Sequence, residues 1–279
     1  KSRVVILSNR PAIVVVDNTV YTMNEGLNGA MLKPFLDKET VSIPLAMQDQ
    51  YFRTFILRMA VHNDVEAVGF NIMDLHPQGK PAIILEQIIS GAYVLSLQFT
   101  YDDTIFTATD PRQRRVRLHD DGTSISFRRV YRDAEWEHRL TATLVGSLGM
   151  PKEGPLRQLV AWLSDHQAQL TELGIAVKQH VSQPLFIGTA EVKEKVTAEG
   201  AWLRVSTQVA FSDGTSLPLS AFRQAISEGK TEYKLPNGET FLIPQTWFTR
   251  YGGLMLFGRA EKDGSMVLSK SQEGVIGTG

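Results

Sequence analysis

The chain is 279 residues long, 43% hydrophobic and 9% aromatic, with 29 Lys+Arg against 30 Asp+Glu and no cysteine. This apolar content supports one large folded core or two of ordinary size. The missing thiols exclude disulfides, cysteine-ligated zinc or iron–sulfur clusters, and a cysteine nucleophile. A formal charge of -1 excludes a uniformly basic nucleic-acid binder but leaves room for a local patch.

In chain order, Val4 to Leu7 and Ile13 to Val16 are β-branched runs that suit strands. Between Pro44 and Ala60, Phe52, Phe55, Ile56 and Met59 recur at three- and four-residue spacing, the pattern of one helical face. Ile83 to Ile89 and Tyr93 to Phe106 return to strand character, interrupted at Ser90-Gly91. Arg114 to His119 and Thr123 to Val130 flank Asp120-Asp121-Gly122 and predict a hairpin. Helices are expected over Asp133 to Leu148 and Pro155 to Leu173, the second opened by Pro155 and stopped by Gly174. Further on, Ile175 to Val181, Glu191 to Val196 and Trp202 to Phe211 read as strands, and Pro218 to Ser227 as a helix closed by Gly229. Tyr233 to Leu235 and Thr240 to Ile243 form a hairpin around Asn237-Gly238, and a helix starts at Pro244. This irregular order predicts an α+β fold: mixed, mainly antiparallel sheets with packed helices in two subdomains. The linker-like stretch 149–155 places their boundary near 150. Residues 1–150 then carry the arginine-rich hairpin (112–132), and 151–279 form the second subdomain.

No run reaches the eighteen or so uncharged apolar residues of a membrane span. The best candidate, Pro81 to Phe99, contains Glu86, Gln87 and Gln98. A cytoplasmic protein without a membrane partner is expected. The start at Lys1-Ser2-Arg3 and the end just after an amphipathic segment predict a piece cut from a longer protein.

Several motifs of catalysis fail on inspection. Gly229-Lys230-Thr231 ends like a phosphate-binding loop, but Gln224 stands where the first glycine belongs, and a helix precedes it where a strand is required. Gly146-Ser147-Leu148-Gly149 has the wrong spacing for a nucleophile elbow. Glu135 and His138 supply half of a di-iron motif without its counterpart, and His62 with Glu66 is another lone pair. Asp102-Asp103 and Asp120-Asp121 are adjacent pairs that a strand would point to opposite faces, so they read as turn residues. No cofactor or metal is expected in this part of the protein. A hydrolase would require carboxylates that converge only in three dimensions, a remote alternative.

The most informative feature is the hairpin. Residues 112–132 hold seven arginines against Asp120 and Asp121, a local charge of +5. Alternation puts Arg115 and Arg117 on one face and Val116 and Leu118 on the other, with Arg128 across from the arginines if the register allows. Guanidiniums suit phosphate oxygens, and a β-ribbon carrying several of them can track a nucleic-acid backbone. The candidate contacts are Arg112, Arg114, Arg115, Arg117, Arg128, Arg129 and Arg132, with Arg250 added from the last helix. The competing readings are a charged edge that blocks aggregation, arginines paired with acidic residues elsewhere, and a face for an acidic protein partner.

Towards the C-terminus, the Asn237-Gly238 turn, the run Ile243-Pro244-Gln245-Thr246-Trp247-Phe248-Thr249-Arg250-Tyr251 and the run Leu268-Ser269-Lys270-Ser271-Gln272-Glu273-Gly274 follow in order. With Phe127 to Glu137 and Pro184-Leu185-Phe186-Ile187-Gly188, they resemble the region that precedes the motor in bacterial helicase-related proteins of the SNF2 class. The resemblance covers about 115 to 274. It implies a non-catalytic accessory region of an ATP-driven DNA translocase, whose motor lies beyond residue 279 and would carry the ATP and Mg²⁺ sites. Its partners would be double-stranded DNA or that downstream ATPase domain. The motifs are structural, so the resemblance assigns no catalytic residue.

Overall fold

The computed structural model describes residues 4–23, 28–33, 36, 42–62, 70–120 and 125–275. The fold is α+β, built from several open, mostly antiparallel sheets and packed helices. Among the described residues, no helix is long and apolar enough to cross a membrane. The chain divides into two compact units, one of residues 1–80 and 99–139, the other of 81–98 and 140–279.

In the first unit, β1 (Val4–Asn9), β2 (Ala12–Val16) and β3 (Thr19–Thr22) form an antiparallel meander. Helix α1 (Leu45–Tyr51) begins after Pro44, passes through a π-helical turn at Phe52–Ile56 and continues as α2 (Leu57–His62). As the spacing predicts, Phe52 and Ile56 are buried. They pack against Phe127, and the rings of Phe52, Phe70 and Phe127 meet edge to face with centroids 5.3 to 5.8 Å apart. Strand β4 (Asn71–Leu75), whose sequence carries no alternating pattern, adds Ile72 to this cluster. After β5 (Lys80–Gln87) and β6 (Tyr93–Tyr101), the chain reverses at Asp102-Asp103, the turn read for this pair, and so divides the strand-like stretch by leading into β7 (Thr104–Thr107). Asp102 accepts a φ of 52° there, a conformation Asp tolerates better than most residues. The hairpin follows as β8 (Arg114–Asp120) and β9 (Ile125–Tyr131), and α3 (Ala134–Ala142) closes the sequence of elements. Strands β4, β9 and β8 make a three-stranded sheet in that order, with β4 parallel to β9. The expected hairpin turn at Asp121-Gly122 lies outside the described residues, as does Glu66.

In the second unit, β5 and β6 lie between β10 (Glu153–Gly154) and β11 (Ala176–His180), the last parallel to β5. Ala82 to Leu85 are all buried, the continuous apolar run of a strand covered on both faces. The stretch 149–155 lies within this unit, because the Leu95 N–H bonds the Lys152 carbonyl at 2.8 Å and β10 pairs with β6. The partition therefore differs from the division near 150 read from composition. Strand pairing between distant segments carries 81–98 across, and local sequence does not encode such pairing.

One helix was expected from Pro155 to Leu173, but α4 (Leu156–Asp165) and α5 (Gln167–Glu172) are separated at His166, whose φ and ψ of -103° and 10° leave the helical region. The remaining sheet runs β12 (Ala190–Glu199), β13 (Trp202–Phe211), β18 (Met266–Ser269), β17 (Arg259–Ala260), with β14 (Ser216–Pro218) also on β13. Helix α6 (Arg223–Ser227) ends at Gly229, whose φ of 68° marks a helix stop. The short hairpin β15 (Glu232–Lys234) and β16 (Thr240–Leu242) turns at Gly238. Pro244 then caps α7 (Gln245–Phe257), which seats Trp247, Tyr251 and Leu254 in a core with Phe186, Phe211, Phe222 and Phe241. The stripe of Trp247, Tyr251 and Leu254 is thus core, as its spacing predicts.

Candidate nucleic-acid interface

The two faces of the sheet β4-β9-β8 have different fates. Alternation sends Phe127, Val116, Leu118 and Ile72 toward the helix, where they join Phe52 and Ile56. On the opposite face, the register sets Arg117 directly across from Arg128. The face assignment read from sequence therefore holds, and the register supplies the cross-strand arginine pair.

Most of the other guanidiniums are spent inside the same unit. Arg112 grips Asp110 through Nε and Nη2, each at 2.8 Å, and Arg115 Nη2 reaches the same carboxylate at 2.7 Å. These donors hold the Asp110 carboxyl far below the usual carboxylate range, Arg112 contributing most. Arg115 also lies 5.2 Å over the Phe106 ring, and the Arg132 guanidinium sits 5.1 Å from that ring. Arg129 forms a fork with Asp74, at 2.5 and 2.7 Å, and is itself buried, which draws the Asp74 pKa downward. Arg114 donates to the Val61 carbonyl at 2.7 Å and to the Tyr131 hydroxyl at 2.6 Å.

Arg132 is the most deeply committed. Its Nε donates to Glu137 Oε1 at 3.0 Å, Nη2 pairs with Glu137 Oε2, and Nη1 reaches the Asp110 carbonyl at 2.5 Å. Both side chains are nearly closed to solvent, at 6% and 4% exposure. The Tyr101 hydroxyl completes the group by donating to Glu137 at 2.8 Å and accepting the Asp133 N–H at 3.0 Å. Burial and the adjacent carboxylate push the Tyr101 phenol well above its ordinary pKa.

Two hairpin arginines keep a solvent-facing role. Arg117 is half-exposed, and its polar partner among the described residues is Asp103, through its carboxylate at 2.5 Å and its carbonyl at 2.9 Å. Arg128 is exposed and has no acidic partner among the described residues. Arg250 belongs to the second unit, lying 3.6 Å from Glu194 and over the Tyr251 ring. The eight candidate contacts are therefore not one surface: Arg114, Arg115, Arg129 and Arg132 are structural ties, Arg112 is held by Asp110, and Arg117 with Arg128 form the solvent-facing pair. Sequence reading missed the partners. Asp110 was findable two residues before Arg112, where its side chain also accepts the Arg112 backbone N–H at 3.1 Å, whereas Asp74 and Glu137 required the fold.

The same unit has an open cleft of about 710 Å³ lined by His76, Gln78, Gly79, Tyr131, Asp133 and Trp136. Its floor is tight, since a Cβ on Gly79 would come within 2.6 Å of the Trp136 ring. Asp133 caps α3 by accepting the Trp136 N–H at 2.9 Å, while Glu135 is almost fully exposed beside Arg139. Among the described residues, no group of three or more His, Asp and Glu side chains is placed to hold a metal ion. Comparison with known proteins finds no matching family model, curated protein or solved structure.

Proposed function

We propose that this chain is a non-catalytic accessory region of a SNF2-like ATPase and helps the motor hold DNA through the backbone phosphates, with Arg117 and Arg128 as the contacts. The observation that supports this reading is the cross-strand pairing of two solvent-facing guanidiniums. Like charges directly opposite on a sheet destabilise it, and a polyanion lying across both reverses the sign of that interaction. The remaining arginines frame the ribbon, and ATP and Mg²⁺ belong to the motor.

The test is binding of a short labelled duplex, followed by anisotropy over a salt series, for the native chain and for Arg117→Ala/Arg128→Ala. Each lost phosphate contact lowers the salt slope by about 0.9. An unchanged affinity and slope in the double variant refutes the assignment. If the native chain ignores DNA but the two arginines are needed for association with the separately expressed downstream region, the face serves an acidic protein surface.

A further inference from the structure

Resting on that DNA-contacting reading, we infer that Asp103 is an internal occupant of the phosphate site, an exchangeable anion that holds Arg117 until a phosphate displaces it. The carboxylates around the ribbon fall into two kinds. Asp110 and Glu137 are each 4% exposed and bind several donors, so neither carboxylate has water to turn into, and withdrawing Glu137 would strand the buried Arg132 guanidinium. Asp103 is 72% exposed and its partner Arg117 is 49% exposed, so both ends of this pair have water to turn into.

The local chain geometry accounts for the position. The reversal between β6 and β7 uses only Asp102 and Asp103, with Asp102 at φ 52°, and this presents the Asp103 carboxylate and carbonyl together to the Arg117 fork. A carboxylate oxygen and a second oxygen accepting two N–H groups reproduce what one phosphate offers a guanidinium. The other carboxylate oxygen has only a 3.4 Å contact with the Thr104 hydroxyl, which does not anchor it. Arg128, opposite Arg117, has no such internal anion among the described residues. The pair is thus asymmetric: Arg128 is open to the first phosphate, and Arg117 is released only against competition. Exposed ion pairs are weak, so the competition weakens binding by up to about fivefold.

Asp103→Asn removes the charge and preserves the turn. Its duplex affinity at low salt is expected to rise about two- to fivefold, because no internal carboxylate then competes for Arg117. The gain should vanish when Arg117→Ala is also present. Asp103→Ser, measured alongside, must give the same gain, which separates charge from turn geometry. Native affinity or weaker binding in both Asp103 variants, while Arg117→Ala/Arg128→Ala still weakens binding, overturns the internal-anion role and leaves the DNA reading intact. No effect of the arginine double variant overturns the DNA reading itself.

Discussion

Glu137→Gln tests the buried network at its centre. The native carboxylate accepts from Arg132 Nε at 3.0 Å, pairs with Arg132 Nη2 and accepts from the Tyr101 hydroxyl at 2.8 Å. The amide keeps the volume, but it loses the charge and replaces one acceptor with a donor aimed at a guanidinium. Arg132, 6% exposed, is left as an uncompensated buried cation. Breaking such a pair from one side costs about 3–5 kcal/mol. Replacing both partners with apolar residues costs less than either single change, because no charge is stranded. Urea unfolding followed by tryptophan fluorescence is the assay, since Trp136 is the one tryptophan of four in the first unit. Arg132→Leu/Glu137→Leu should therefore be more stable than Glu137→Gln. A cost below about 1 kcal/mol for Glu137→Gln, or a double variant as costly as the two singles summed, refutes the argument.

Asp110 predicts a pH dependence. Its pKa is depressed in the folded chain, so the unfolded chain binds the proton more tightly, and the stabilisation is complete above the ordinary carboxylate pKa of about 4. It is lost as pH falls from there toward the folded value, and Asp110→Asn should flatten the acid limb of a stability–pH curve; an acid limb identical to the native one removes Asp110 as the cause. Gly79→Ala puts a methyl within 2.6 Å of Trp136 and 2.9 Å of Tyr101, and should cost about 1–3 kcal/mol with altered Trp136 emission; native stability and emission would show that the two rings yield freely. Trp247→Ala, in the second unit, should cost about 3–5 kcal/mol, because its ring packs against Phe222, Phe241 and Tyr251. That loss should appear in the transition of the second unit, and a change confined to the first unit's transition would contradict the placement.

Local physics made much of the chain legible. Period-four apolar spacing found the helix face of Phe52 and Ile56, Pro244 and the aromatic stripe found α7, Asn237-Gly238 found its hairpin, and alternation separated Arg117 from Leu118. Each depends on residues within a turn or two of one another, where sequence spacing and spatial spacing coincide. Three features depend on contacts between distant segments: the pairing of β4 with β9, the transfer of 81–98 into the second unit, and the fate of the arginines. A guanidinium looks the same in sequence whether it faces water or a buried carboxylate. Asp74 lies 55 residues before Arg129, and only the parallel pairing of β4 with β9 sets the two residues opposite each other. The sequence by itself thus determined that charge is concentrated on the ribbon, while the tertiary structure decided how much of it is neutralised from within and left Arg117 and Arg128 facing solvent.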